Sequence, residues 1–207
     1  MQPINKPDNQ EPAKSFIEQA RQKQIIEATI KVLAEYGYVN TSFVRIAKQA
    51  GISPGLISYH FKDKKELTVK ILETIAYERV TYVTERVSDL PTATAKLQTA
   101  LEADMANMGT QPERYTAMVE ALFGMRGVKG SLEFLGQTED PALTVIKDIL
   151  KLGQKNGEFG RFDVENTAMI IDGARDTFLA QVAIRRDLNL ETFTKTLIDF
   201  SLQAVKK

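Results

Sequence analysis

Apolar positions along this chain recur at helical spacing over most of its length. Glycine and proline residues separate the helical segments, and no segment alternates apolar and polar residues as a strand would. The pattern predicts helices at about 15–36, 41–50, 54–61, 64–87, 92–108, 112–126, 140–156, 163–186 and 190–206, and leaves room for a short helix around 130–136. The sequence therefore predicts an all-α fold with about nine helices.

Residues 41–61 hold two short helical patterns separated by a tight turn. Gly51 ends the first, because glycine adopts the left-handed conformation after a helix without strain. Ser53 caps the second, and Pro54 follows at the first helical position, where a missing N–H costs nothing. The two helices must then meet at a steep angle, as in a helix-turn-helix that presents its second helix to the DNA major groove.

Charge along the chain also favours a DNA-binding face in this region. Between residues 41 and 65 there are five Lys or Arg residues and one acidic residue, although the whole chain has a formal net charge of zero. Asp63 to Glu66 forms a capping box for the next helix, whose N-terminus carries Lys64 and suits a phosphate. Residues 1–80 carry a net charge of +3 and residues 81–207 a net charge of −3, so only the first part suits nucleic acid.

The segment contains, in order, Thr41, Ile46-Ala47, Ala50-Gly51-Ile52-Ser53, Gly55, Tyr59-His60-Phe61 and Lys64 to Leu67. This order closely resembles the N-terminal domain of the TetR family of bacterial transcriptional regulators, and the resemblance extends from about Arg21 to Tyr77. It implies a three-helix helix-turn-helix domain followed by a larger helical domain that binds an effector and dimerises. We accordingly expect a disordered arm at 1–13, a DNA-binding domain at 14–80 and an effector-binding and dimerisation domain at 81–207.

Both the local geometry and the resemblance assign residues to the DNA face. Ser58 stands where the family usually has a phosphate-anchoring Tyr, so Tyr59 and His60 should supply more of the backbone contact. Leu56 and Ser58, beside the Pro54-Gly55 backbone, are candidates for contacts to base edges. The predicted DNA-binding residues are Thr41, Ser42, Arg45, Ser53, Pro54, Gly55, Leu56, Ser58, Tyr59, His60 and Lys64.

The middle helices, at 92–156, are expected to enclose the effector pocket. Methionine and aromatic side chains suit an adaptable lipophilic cavity, although the same residues also serve as ordinary core. Glu120 and Arg126 would either orient a ligand or face water. The predicted pocket residues are Met105, Met118, Glu120, Phe123, Arg126 and Phe178.

The run GLISYHF with Ser58, together with IIDG at 170–173, looks like the betaine-inhibitor-type choline-pathway regulators within the family. A site for a quaternary ammonium group favours Trp, and this chain has no Trp. The sequence therefore gives no reason to transfer that ligand, and the effector stays unassigned.

The last two helices combine small residues at 173–183 with an apolar stripe at 190–204. They could simply fill their own core, whereas the resemblance implies a four-helix dimer interface. Pairing about a two-fold axis would place two recognition helices about 34 Å apart, in successive major grooves. The predicted interface residues are Gly173, Asp176, Ala180, Phe193, Leu197 and Phe200.

Several classes of chemistry find no support in the sequence. There is no cysteine, which excludes disulfides, thiolate metal sites and a cysteine nucleophile. His60 is the only histidine, so neither a metal site nor a catalytic triad is predicted. No apolar run is long enough for a membrane span and no signal peptide pattern begins the chain, so a cytoplasmic protein without a cofactor is expected.

The sequence thus predicts a ligand-responsive transcriptional regulator, not an enzyme. Its favoured form is a repressor that binds a palindromic operator in double-stranded DNA as a homodimer and is released by a small-molecule effector. The alternatives are a helical interaction or ligand-binding protein, or a small helical enzyme, without DNA binding. The enzyme would need clustered acid and base residues, and a protein that has lost DNA binding should have lost the basic excess at 41–65.

Overall fold

The computed structural model describes residues 16–125, 141–182, 185 and 187–207. Within these ranges it has no strand and nine helices, which confirms the predicted all-α class. The predicted arm at 1–13, the short helix around 130–136 and Arg126 lie outside the described residues. The helices are α1 (Phe16–Asn40), α2 (Phe43–Ala50), α3 (Pro54–His60), α4 (Lys64–Val87), α5 (Ala93–Thr110), α6 (Pro112–Met125), α7 (Pro141–Asn156), α8 (Val164–Val182) and α9 (Leu190–Val205).

Local capping determines where the helices of the helix-turn-helix begin and end. The Ser42 side chain accepts a hydrogen bond from the Arg45 amide at the start of α2, and the Ser53 side chain does the same for Leu56 at the start of α3; both distances are 3.3 Å. Gly51 follows α2 with a φ of 66°, in the left-handed region. The predicted cap at Ser53 and stop at Gly51 are thus both confirmed.

A first apolar cluster, here called the N-terminal core, holds the helix-turn-helix together. Its members with no exposed surface come from the first four helices and from α6, and each such Ile or Leu stabilises the fold by about 1.5–3 kcal/mol. The contribution of α6 lies beyond the predicted domain boundary at residue 80. The fully buried members are Ile25, Leu33, Ile46, Ile57, Leu67, Ile71, Ala117, Ala121 and Met125.

A second cluster, here called the C-terminal core, lies between α5, α7, α8, α9 and the end of α4. Its most buried large residues are Leu97, Met105, Leu150 and Ile171. α4 contributes to both clusters and so joins them, as does α6, whose Tyr115 lies in the C-terminal core. Leu67, Ile71 and Ile75 of α4 lie in the N-terminal core, and Val83 and Val87 lie in the C-terminal core.

Arg79 lies on α4 between the residues that pack in the N-terminal core and those that pack in the C-terminal core. It is 3% exposed. Its Nε and Nη2 donate to the two carboxylate oxygens of Asp104 on α5, at 2.5 and 2.7 Å. Arg175 on α8 donates to the same carboxylate from Nη1 at 3.2 Å, and its Nη2 lies 3.1 Å from Asp172 Oδ1. Buried charges are tolerated only when paired in this way, so this ion network connects α4, α5 and α8.

Candidate nucleic-acid interface

The recognition helix α3 is anchored by one face and leaves the other open. Ile57 is fully buried and Phe61 is 4% exposed, so these two side chains hold the helix against the N-terminal core. Tyr59 is 74% exposed, and its ring meets that of His60 edge-on with the centroids 5.0 Å apart. The predicted residues that lie exposed or half-buried on α2, α3 and their caps are Ser42, Arg45, Ser53, Pro54, Gly55, Leu56, Ser58, Tyr59 and His60.

Ser58 lies on the open side of α3, and its hydroxyl donates to the Pro54 carbonyl at 3.3 Å. The proton of this hydroxyl is therefore used within the helix, whereas the oxygen can still accept a hydrogen bond. A phosphate offers only acceptors, so a phosphate contact from Ser58 requires this internal bond to break. This geometry agrees with the prediction that Tyr59 and His60 carry more of the backbone contact.

Thr41 is the one predicted residue of this face that the structure withdraws from the surface. Its side chain is 3% exposed, and its hydroxyl donates to the Gly37 carbonyl at 2.8 Å. Gly37 has a φ of 73°, so the helical path of α1 breaks there and the following turn brings Thr41 inward. Thr41 closes the turn between α1 and α2, and its side chain is not available to a phosphate.

Two tyrosines outside the predicted DNA face, Tyr36 and Tyr38, contact basic residues of that face. The Arg45 guanidinium carbon lies 4.6 Å from the centre of the Tyr36 ring. Lys64 Nζ lies 4.2 Å from the centre of the Tyr38 ring and donates to the Tyr38 carbonyl at 2.9 Å. Burial lowers the pKa of Lys64 from its ordinary value. In the sequence, the one feature that could have indicated these contacts is the presence of a tyrosine on each side of Gly37.

The predicted pocket residues do not come together in the structure. Met105 and Phe178 are buried in the C-terminal core, and Met118 is half-buried between the two cores. Glu120 accepts a hydrogen bond from the Tyr38 amide at 3.2 Å, and Phe123 is 53% exposed. α6 packs against α1, with Tyr115 in the C-terminal core and Ala117, Ala121 and Met125 in the N-terminal core. The structure therefore does not bring Glu120 and Phe123 together with Met105 and Phe178, and their place in an effector pocket stays a prediction.

A surface cleft of about 640 Å³ lies between α5 and α9. Among the predicted pocket residues that the structure describes, only Met105 contributes to it. Three carboxylates and one lysine accompany apolar groups in its wall, so it would suit an amphiphilic molecule. The lining residues are Gln98, Glu102, Met105, Ala106, Leu190, Glu191, Thr194, Lys195, Ile198 and Asp199.

The predicted interface residues divide into two groups. Gly173 and Asp176 on α8 and Phe200 on α9 are exposed, and Ala180 is half-buried. Leu197, by contrast, is 3% exposed, and Phe193 stacks on Phe178 with the ring centroids 4.2 Å apart. Phe193 and Leu197 thus pack at least in part within this subunit, and their place in a dimer interface stays a prediction. The exposed face of α8 also carries Met169 and Ile170, which the sequence analysis had not selected.

Within the described ranges, no helix is long and apolar enough to cross a membrane. The same ranges contain no group of three or more His, Cys, Asp or Glu side chains positioned to hold a metal ion.

Residues 25–71 match the family described as "Bacterial regulatory proteins, tetR family". The sequence is 36% identical over 98 residues to the HTH-type transcriptional regulator BetI of Proteus mirabilis (strain HI4320), which covers 47% of this chain and 48% of BetI. It is 34% identical over 74 residues to the fatty acid metabolism regulator protein of Bacillus subtilis (strain 168), which covers 36% of this chain and 38% of that protein. The chain thus aligns with less than half the length of these curated relatives.

Solved structures resemble the chain over most of its length. FadR from Bacillus subtilis, crystallised in complex with stearoyl-CoA, superposes with a TM-score of 0.78 at 22% identity and covers 88% of this chain and 98% of FadR. FadR from Bacillus halodurans gives the same TM-score at 20% identity and covers 88% of this chain and 94% of that one. At these identities the likeness establishes the fold alone.

Proposed function

Because residues 25–71 match the TetR family of bacterial regulators, we propose that the chain belongs to this family and is a ligand-responsive transcriptional repressor that binds a palindromic operator as a dimer. One observation carries this proposal: α3 is fixed by Ile57 and Phe61 while its opposite face presents Tyr59, His60 and Ser58. A rigid helix with an open polar face is what major-groove recognition requires.

The roles of the individual residues follow from the chemistry of phosphates and bases. Arg45, Tyr59, His60 and Lys64 would contact phosphates and so fix the register of the protein on the duplex. Leu56 and Ser58 would face base edges, where an apolar side chain can contact a thymine methyl group. The amide of Gly55, at the beginning of α3, would add a hydrogen bond to a phosphate, whereas the Leu56 amide is already bonded to Ser53. The remaining members of the proposed face are Ser42, Ser53 and Pro54.

Exposed apolar groups support the proposed dimer. Met169, Ile170 and Phe200 are each more than half exposed, and they lie on the two helices that would pair. Beyond the α8 backbone and its chain neighbours, no atom of the described residues lies within 4 Å of the position a Cβ on Gly173 would take, so a second helix could approach α8 there. A dimer would present two α3 helices to two half-sites, whereas a single short helix reads few bases.

The effector would bind the part of the protein built around the C-terminal core. FadR from Bacillus subtilis was crystallised with stearoyl-CoA, which makes this molecule a reasonable first probe. The cleft between α5 and α9 is one candidate site, because it combines apolar walls with charged groups. The matched relatives are named as regulators, which supports a function in binding instead of catalysis.

The test begins with selection of a preferred sequence from random duplexes, followed by fluorescence anisotropy with Lys64→Ala and Tyr59→Ala. Each variant should weaken binding about tenfold or more, because a charged hydrogen bond or a close phosphate contact contributes about 1.5–3 kcal/mol. Lys151→Ala on α7, which removes a side chain that is 63% exposed, is the matched control and should bind like the wild type. Undiminished affinity in both variants would contradict the assignment of the DNA face.

Sedimentation of the wild-type protein, alone and with the selected duplex, tests the dimer. Two subunits per palindrome are expected, and a monomer on a single half-site would contradict this part of the proposal. Stearoyl-CoA should lower the affinity for DNA if it resembles the true effector, since each ligand must then weaken binding of the other.

A further inference from the structure

Tyr38 lies where three helices meet: the end of α1, the beginning of α4 and the second half of α6. It is 7% exposed, although it follows the break in α1 at Gly37. Its amide contacts Glu120 of α6, its carbonyl and ring contact Lys64 of α4, and its ring also lies against Gly124 of α6, so it is held from both sides. One side belongs to the proposed DNA face and the other to α6.

Contacts from α6 fix the backbone and the ring of Tyr38. Glu120 Oε2 accepts a hydrogen bond from the Tyr38 amide at 3.2 Å. The ring of Tyr38 lies directly against Gly124, because a Cβ at residue 124 would come within 2.3–2.6 Å of Tyr38 Cβ, Cγ and Cδ1. No side chain larger than hydrogen fits at residue 124 unless Tyr38 moves.

On its other side, Tyr38 determines where Lys64 lies. The Tyr38 carbonyl accepts a hydrogen bond from Lys64 Nζ at 2.9 Å, and the ammonium group lies 4.2 Å from the centre of the ring. Lys64 is the first residue of α4 and follows α3 by only three residues. Its half-buried side chain therefore follows the position of Tyr38.

We propose that α6 positions the DNA-binding Lys64 through Tyr38, so that Glu120 and Gly124 control operator affinity although neither lies on the DNA face. This inference rests on the proposed function, because it assumes that Lys64 contacts the operator. It deepens that function by identifying which helix outside the helix-turn-helix sets the phosphate contact. A displacement of α6 would then change DNA binding without any movement of α3.

The experiment is a double-mutant cycle with the full-length protein and its selected operator. Gly124→Ala should weaken binding about five- to tenfold and reduce the salt dependence by about one phosphate contact per subunit, as loss of a single lysine contact does. In a Lys64→Ala background, Gly124→Ala should cause no further loss, because the contact it disturbs is already absent. Glu113→Gln, an exposed change in the first turn of α6, is the control and should leave both quantities unchanged.

Three further variants keep the test decisive if Gly124→Ala does not fold. Glu120→Ala removes the acceptor for the Tyr38 amide and should show the same dependence on Lys64. Tyr38→Phe retains the ring and the carbonyl and should bind like the wild type, whereas Tyr38→Leu should lose affinity.

Three results would overturn the inference. The losses of affinity caused by Gly124→Ala and Lys64→Ala could multiply in the double variant, Gly124→Ala could leave the salt dependence of binding unchanged, or Lys64→Ala could bind with undiminished affinity. If the wild-type protein binds no duplex selectively, the proposed function itself is wrong, and that outcome is distinct from the other three.

Discussion

The two cores of this protein use polar side chains in different ways. Around the N-terminal core, the side-chain caps that begin α2 and α3 join residues three positions apart, as Ser53 and Leu56 do, and they lie at the surface. In the C-terminal core, Arg79 pairs with Asp104, 25 positions away, and all but a few per cent of both side chains is buried. The first arrangement shapes a surface for binding, and the second holds separate helices in one relative position.

This difference implies different sensitivity to substitution. A surface cap that is lost can be replaced in part by water, so the helix-turn-helix should tolerate single polar changes. A buried charge that loses its partner has no such replacement. We therefore expect stability to depend most on the buried network and affinity for DNA to depend most on the exposed face.

The largest expected effect on stability is that of Asp104→Asn. This change keeps the shape of the side chain but leaves Arg79 and Arg175 without their shared charge, which should lower the free energy of unfolding by about 3–5 kcal/mol. Denaturation in urea would measure it. Asp148→Asn, at an exposed pair with Lys151, is the control and should cost less than about 1 kcal/mol. An equal loss of unfolding free energy in the two variants would mean that the buried ion network contributes no more to stability than an exposed ion pair does.

Ser53→Ala should have an intermediate effect. The variant removes the side-chain acceptor for the Leu56 amide at the beginning of α3, which should cost about 1 kcal/mol of stability. Operator affinity should fall as well, because α3 begins within the proposed DNA face. Urea denaturation and anisotropy on the same samples would show both effects. A loss of stability as large as that of Asp104→Asn would be contrary to the expected tolerance of this region.

The smallest expected effect is a change in pH dependence at Glu158. Its carboxylate accepts hydrogen bonds from the Ala93 and Thr94 amides at 2.9 and 3.0 Å, and these bonds lower the pKa of Glu158 in the folded protein. The resulting stability is present above the ordinary pKa of 4.5 and is lost as the pH falls through the lower folded value.

Melting temperatures of the wild type and of Glu158→Gln between pH 7 and pH 3 would test this. The difference between the two proteins should shrink as the solution becomes more acidic. A difference that does not change over this range would mean that the carboxylate contributes no charge-dependent stability.

Features governed by neighbouring residues could be predicted from the sequence. The stop at Gly51, the cap at Ser53 and the beginning of α3 at Pro54 all follow from the conformations that single residues prefer, and the structure has each of them. The bounds predicted for the last helix, 190–206, differ from the observed Leu190–Val205 by one residue. Family resemblance added the expectation of a helix-turn-helix domain followed by a larger helical domain, which periodicity alone does not give.

Features that depend on how helices pack could not be predicted in the same way. Glu120 and Phe123 fit an amphipathic helix equally well toward a pocket, a neighbouring helix or water, and only the packing of α6 on α1 decides between these. Phe193 and Leu197 form an apolar stripe that serves an internal core as well as an interface. Thr41 precedes Ser42, whose hydroxyl caps α2. Only the break in α1 at Gly37 explains why the Thr41 side chain points inward and that of Ser42 does not.

The three residues that α6 contributes to the N-terminal core also limit how this protein could be recombined with a relative. A chimaera joined after α4 would keep the DNA-binding surface but lose Ala117, Ala121 and Met125, each of which has no exposed surface here. The transplanted part would then present an unfilled apolar face and a Tyr38 without its hydrogen-bond acceptor. Exchange of DNA specificity in this chain therefore requires that α6, or a matched substitute for its inner face, be transferred with the first four helices.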